Sequence, residues 1–139
     1  MNDIKECIIN YFEAEIDVKA VYLYGSFVSG KYNSDSDVDI ALLTNHYKDK
    51  IKSFEMRTCH GVNLSRLIGR RVDIVLLREI GELLTFQILR DGEVVYERDV
   101  DANRAFKALR ILQCLDFQFL EKRMQNGMIT AMKGESLGK

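Results

Sequence analysis

Three aspartates stand where strand sequences normally carry apolar side chains. Asp37 and Asp39 open the run DVDIALL, Asp37 to Leu43, and Asp73 sits inside RRVDIVLL, Arg70 to Leu77. Residues two apart in a strand share a face, about 6.6 Å apart along the chain, so Asp37 and Asp39 point the same way. Val72, Ile74 and Val75 around Asp73 argue for burial, and a buried carboxylate is costly without a cation or hydrogen-bond donors. Three carboxylates converging from two strands form a hard-oxygen set suited to Mg²⁺. Two such ions about 3.5–4 Å apart can activate a hydroxyl and stabilise a leaving pyrophosphate in an in-line displacement. Gly25-Ser26, at the end of an earlier strand, supplies the complementary part. Glycine lets backbone approach a phosphate closely, and Ser26 offers a hydroxyl and an amide to its oxygens.

The elements that position these residues can be read along the chain. Asp3 to about Glu15 places Ile4, Ile8, Tyr11 and Phe12 at helical spacing, with Asn2 or Asp3 able to cap it. VKAVYLYG, Val18 to Gly25, is β-branched and aromatic and is stopped by glycine, which makes it a strand. Ser26 to Ser36 is rich in Ser, Gly, Asn and Asp and reads as a loop. A second strand covers Asp37 to Leu43, and a helix follows within Tyr47 to Leu67. Arg70 to Leu77 is a third strand, ELLTFQILR is helical, and EVVYE after Asp91-Gly92 is a short fourth strand. Ala102 to Met124 forms a long helix with Ala105, Leu109, Leu112 and Leu120 among its apolar positions. The expected organisation is one domain over 1–126, with 127–139 as a flexible tail.

The pattern Gly25-Ser26, ten residues, then Asp37-Val38-Asp39 resembles the signature of the DNA-polymerase-β-type nucleotidyltransferases. Asp73 in a later strand matches the third carboxylate of that fold, and FQILRDGEVVYERD extends the likeness to about Asp99. The short chain is similar to the minimal nucleotidyltransferase (MNT) antitoxins of HEPN–MNT toxin–antitoxin pairs. The resemblance implies an α/β (α+β) fold: a polymerase-β-like core with a small mixed sheet flanked by helices, and a C-terminal helix. It implies that Gly25 and Ser26 hold a nucleoside triphosphate. Asp37, Asp39 and Asp73 would carry Mg²⁺, two ions by the family's pattern, and Asp73 would help deprotonate the acceptor. ATP would be the nucleotide, and a tyrosine on a cognate HEPN ribonuclease toxin the acceptor, silenced by AMPylation. Two alternatives stay open: an antitoxin acting by complex formation alone, and transfer to a small-molecule hydroxyl.

Other patterns in the chain compete with this one. Gly25 to Lys31 reads G-x-x-x-x-G-K, nearly a phosphate-binding P-loop, but Tyr32 stands where Ser or Thr must hold Mg²⁺ and YNSDSD is a turn. Asp35, Asp37 and Asp39 imitate a calcium loop, yet Ile40 and His46 occupy its glycine and glutamate positions. Asp35 reads as a turn residue bonded to its own backbone. Cys59-His60 lacks partners at metal-ligand spacing and reads as a half-buried helix face. Lys31, Arg70 and Arg71 could neutralise phosphate or simply be solvated bases, as could Lys48 and Arg90. Tyr22, Tyr24 and Phe27 read as core. Phe106, Leu109, Leu112, Phe117 and Phe119 exceed one narrow core stripe, so core packing is the first account and a docking surface the second.

Bulk composition bounds the partners. Twenty basic against 21 acidic side chains leave a net charge of −1, without the basic surplus that grips long nucleic acid. No direct nucleic-acid binding is therefore expected. Cys7, Cys59 and Cys114 are odd in number and far apart, as free thiols of a reducing compartment are. No apolar run approaches the roughly 20 residues of a membrane span. Neither a membrane nor export is expected, and the cytoplasm is the expected site of action.

Overall fold

The computed structural model describes residues 2–45 and 49–136, the side chains of Asn2, 117–120 and 127–136 excepted. The side chains of Phe117, Phe119 and Leu120, and all of His46, Tyr47 and Lys48, therefore lie outside the described set. Two aliphatic strands form its centre. β1, Val18–Tyr24, pairs antiparallel with β2, Val38–Thr44. β3, Val72–Leu76, joins β2 in parallel, and β4, Glu93–Glu97, joins β1 antiparallel, giving the order β3-β2-β1-β4. The sheet is mixed, as expected. Parallel pairing of β2 with β3 needs a long crossover, here the helix α3, Lys50–Ile68. The Asp49 side chain caps α3 by accepting from the Ile51 amide, and Gly69 ends it at φ 78. That cap starts the helix at Lys50.

Between β1 and β2 the sequence reading misses an element. Ser26–Ser29 is a short helix, α2, rather than loop. Gly25 O accepts from the Val28 and Ser29 amides, and Gly30 closes the turn at φ 80 by donating to Ser26 O. Four residues are too few for periodicity to register. The remaining helices are α1, Asn2–Glu13, α4, Glu82–Asp91, and α5, Val100–Ser136. The α5 backbone stays helical well past Met124, where the sequence reading ends it.

Each sheet face has its own core. On one, Val21, Leu23, Ile40, Leu42, Ile74 and Leu76 pack against Ile8 and Phe12 of α1 and Leu64 of α3. On the other, Ala20, Tyr22, Ala41, Leu43 and Leu77 meet Ile88 and Leu89 of α4 and Phe106 of α5. The Tyr22 hydroxyl donates to Asn103 Oδ1 at 2.6 Å, and Asn103 Nδ2 donates to Glu97 Oε2 at 3.0 Å, so α5 is keyed to the sheet by satisfied buried polar groups. Tyr22 and Phe27 are core, as read. The inward positions of α5 are Asn103, Phe106 and Cys114, whereas Ala105, Leu109 and Leu112 face solvent. Hydrophobicity alone points to the wrong side of this helix, because its keyed face carries an amide and a thiol.

The Cys59-His60 pair is structural, with Cys59 exposed and His60 buried. Asn63 donates to the Tyr11 hydroxyl at 3.2 Å, and that hydroxyl lies 2.6 Å from His60 Nδ1, leaving it to donate to a neutral imidazole. Burial holds the His60 pKa below its ordinary value. The unfolded chain therefore takes up this proton more readily, and stability present above pH about 6.5 falls as pH drops toward the folded pKa. Urea titrations above and below that pH should show wild type losing more stability on acidification than His60→Leu.

Candidate active site

The register places the site residues in a row. Tyr24 of β1, Asp39 of β2 and Asp73 of β3 are successive Cα partners at one level of the sheet, and strand spacing sets such neighbours about 4.8 Å apart. They stand at the end of the face that α4 and α5 cover. Asp37 lies one residue before β2, and buried Val38 separates it from Asp39, so strand alternation keeps the two carboxylates on one side as expected.

Gly25 follows Tyr24 at φ 77 and ψ −147, a backbone region that is essentially glycine's alone. A Cβ there would fall within contact distance of Asp39 Oδ2. The turn thus presses its backbone against the central carboxylate, which a side chain would forbid. At the start of α2 the amides of Ser26 and Phe27 have no helical acceptor, and the Ser26 hydroxyl stands beside them.

Asp73 is less buried than its apolar neighbours suggest. Its side chain is 44% exposed and that of Asp37 42% exposed. β3 is an edge strand whose alternate positions are only half covered, so flanking valine and isoleucine report burial of the opposite face. Arg71 provides the nearest positive charge, with Nε 3.5 Å from Asp73 Oδ1 and 4.0 Å from Asp37 Oδ2. Its side chain is 75% exposed, and such a pair is worth at most about 1 kcal/mol. Burial, and then the charges of Asp73 and Asp37, raise the pKa of Asp39. Burial, and then the charges of Asp39 and Asp73, push the Tyr24 hydroxyl up to about 12, so it stays neutral.

Among the described residues, no three acidic, histidine or cysteine side chains are already drawn into a metal cage. The donor set nevertheless fits a hard divalent cation. Three oxygen-bearing side chains share one edge, repel one another, and meet only an exposed, weakly held guanidinium. Side-chain rotation away from Arg71 is what closure around an ion would require.

The other basic residues divide. Arg70 Nη1 donates to the carbonyls of Asn33, Ser34 and Ser36 at 2.8, 3.1 and 3.2 Å, and the guanidinium lies over the Phe27 ring. Phe27 in turn stacks on Tyr32. Arg70 is therefore a brace for the loop delivering Asp37, a role the sequence reading missed because carbonyl contacts leave no side-chain signature. Within that loop it is Asn33, not Asp35, whose side chain makes the turn, accepting from the Asp35 amide at 2.8 Å. Lys31 is exposed, and Arg90 is engaged by Asp91 at 2.8 Å. Tyr24, read as core, lines a cleft beside Gly25.

Residues 6–101 match the family described as Polymerase beta, Nucleotidyltransferase. The chain is 28% identical over 124 residues to a protein of Shewanella oneidensis named Protein adenylyltransferase MntA, covering 86% of each. A toxin–antitoxin crystal structure with AMP-PNP contains a chain 25% identical with a TM-score of 0.66, over 92% of this chain and 98% of that one. The complex of tri-AMPylated Shewanella oneidensis HEPN toxin with MNT antitoxin gives 22% identity and a TM-score of 0.61, over 94% and 98%. At that identity the likeness is one of fold.

Two substitutions test the geometry. Gly25→Ala should leave the chain folded yet cut nucleotidyl transfer by roughly 100-fold, the cost of misplacing reacting groups by about 1 Å. Steady-state rates beside a circular-dichroism melt would check it. Asp39→Asn should raise the melting temperature by a few degrees without Mg²⁺, because it removes the charge at the centre of the repulsive trio. Added Mg²⁺ should then stabilise wild type and not the variant.

Proposed function

Because the chain belongs to the polymerase beta nucleotidyltransferase family, we propose that it transfers AMP from ATP to a tyrosine hydroxyl of a cognate HEPN ribonuclease toxin and thereby silences it. The observation that carries this reading is the row formed by the Gly25 turn, Asp39 and Asp73 across adjacent strands. Support also comes from the adenylyltransferase name of the Shewanella relative, and from the AMP-PNP and AMPylated-toxin complexes of its structural neighbours.

In this reading Ser26 and the free amides at the start of α2 grip the triphosphate tail beside Gly25. Asp37, Asp39 and Asp73 would hold Mg²⁺, two ions by the family's pattern, and bound metal would supply charge neutralisation and a lowered acceptor pKa. The acceptor oxygen attacks the α-phosphorus in line with the departing pyrophosphate. A P–O bond to the acceptor forms as the P–O bond to pyrophosphate breaks, and the hydroxyl proton passes toward Asp73. The leaving group lies on the β1 side, so the acceptor approaches from the β3 side, where Asp73 stands half exposed. Arg71, released from Asp37 and Asp73, becomes available to phosphate.

Among the described residues no helix is long and apolar enough to cross a membrane. We place the activity in the cytoplasm, where Cys7, Cys59 and Cys114 persist as thiols, and without direct contact to nucleic acid. A second reading, neutralisation by binding alone, is favoured by one feature: Leu109, Leu112 and Leu115 of α5 are exposed, Leu112 at 61%. Nothing comparable supports a small-molecule acceptor.

Incubation with the protein encoded by the neighbouring gene, ATP and Mg²⁺ should add AMP-sized mass to a tyrosine of that partner. The Asp37→Ala, Asp39→Ala double variant should bind the partner and add nothing. Absence of an adduct with any nucleotide would sink the proposal, and protection of cells by the double variant would favour sequestration.

A further inference from the structure

We propose that the cleft between α2 and α4 seats the nucleoside of the triphosphate and that Gln87 reads its base as adenine, an inference that rests on the nucleotidyl-transfer reading above. The cleft encloses about 680 Å³, within the range of small-ligand sites and ample for a purine and a ribose. It opens beside Gly25, the turn pressed against Asp39, and is therefore continuous with the triphosphate end of the site.

The walls are chosen for a flat apolar ring. Val28 stands on the α2 side, Leu84 and Ile88 on the α4 side, and the ring of Tyr24 lies between them on β1. Tyr24 is the direct strand neighbour of Asp39, so the same residue borders both the cleft and the carboxylate row. Polar groups on the cleft are few. Arg90 and Asp91 hold each other through Nε–Oδ1 and Nη2–Oδ2 at 2.9 and 2.8 Å, the Ser29 hydroxyl donates to Ser26 O at 3.4 Å, and Tyr24 sits beside Asp39, so the Gln87 amide is the polar side chain on the cleft left to meet a base. Gln87 is exposed at the cleft.

A carboxamide presents one acceptor and one donor, which complement N6–H and N7 of adenine. Guanine offers two acceptors, N7 and O6, on the same edge and meets only half of that pattern. The alternative occupant, the acceptor side chain of a partner, is disfavoured by direction. An in-line displacement brings the acceptor in opposite the leaving pyrophosphate, whereas this cleft lies on the Gly25 side.

The test is equilibrium binding to the full chain, with Mg²⁺, of AMP-PNP, GMP-PNP and inorganic tripolyphosphate. Wild type should favour AMP-PNP over GMP-PNP by about tenfold or more, the discrimination of one good amide–adenine pair. Gln87→Leu, at an exposed position, should bring the two within about threefold and leave tripolyphosphate affinity unchanged. Leu84→Arg, which fills the cleft, should weaken both nucleotides at least tenfold and again spare tripolyphosphate. Unchanged nucleotide affinity and preference in both variants would overturn the assignment. So would a Leu84→Arg protein that binds AMP-PNP normally but no longer modifies its partner, since the cleft would then take the partner's side chain. Failure of wild type to bind any of the three probes would instead overturn the nucleotidyl-transfer reading itself.

Discussion

Like charges set side by side govern this structure. Asp39 and Asp73 are direct neighbours in a parallel strand pair, with Asp37 one alternation further along the same face. Folding brings these carboxylates together, and the molecule tolerates them through exposure and a loose guanidinium. The side chains of Asp37 and Asp73 are 42% and 44% exposed, so water reaches both. Arg71 reaches across both at 4.0 and 3.5 Å. At Asp39, the central one, burial and then the charges of Asp73 and Asp37 raise the pKa. A site that is unfavourable when empty gains most when a divalent cation arrives, because one ion relieves three repulsions at once. The apolar cores on the two sheet faces supply the rigidity that keeps the carboxylates from moving apart.

Much of this was legible in the residues. The spacing of Gly25-Ser26 from Asp37 and Asp39, and the apolar runs around Asp39 and Asp73, were enough to place four strands and the carboxylate edge. β4 coincides with EVVYE to the residue. What the sequence hid has physical causes. Apolar neighbours in a strand describe one face and cannot say whether the other is covered, so Asp73 looked buried and is half exposed. The α2 turn arises from the φ of Gly25 and two bonds to its carbonyl, information no four-residue window holds. Arg70 acts through backbone carbonyls 34 to 37 residues away. α5 turns its amide and thiol inward because Tyr22 and Glu97 satisfy the amide of Asn103 and Glu82 accepts from Cys114. Hydrophobic periodicity counts such positions as surface.

The order of strands also gives the proposed reaction a direction. Reading across β1, β2 and β3, the glycine turn, the central carboxylate and the edge carboxylate follow one another. A phosphate tail at the turn leaves the edge strand as the open side, where a bulky acceptor can reach Asp73 without passing the helices. Small acceptors would need walls there, and among the described residues Asp73 lines a hollow of about 300 Å³ with Phe54, Arg57 and Gly61. A macromolecular acceptor brings its own walls and can be held elsewhere. α5 offers such a hold, because its core contacts are made at Asn103, Phe106 and Cys114 while Leu109, Leu112 and Leu115 remain at the surface. Leucines separated by three positions on the outer side of a helix form a stripe that another helix can cover. In the proposed reading the same helix would present Leu109, Leu112 and Leu115 to a partner on one face while Asn103, Phe106 and Cys114 hold it to the fold on the other.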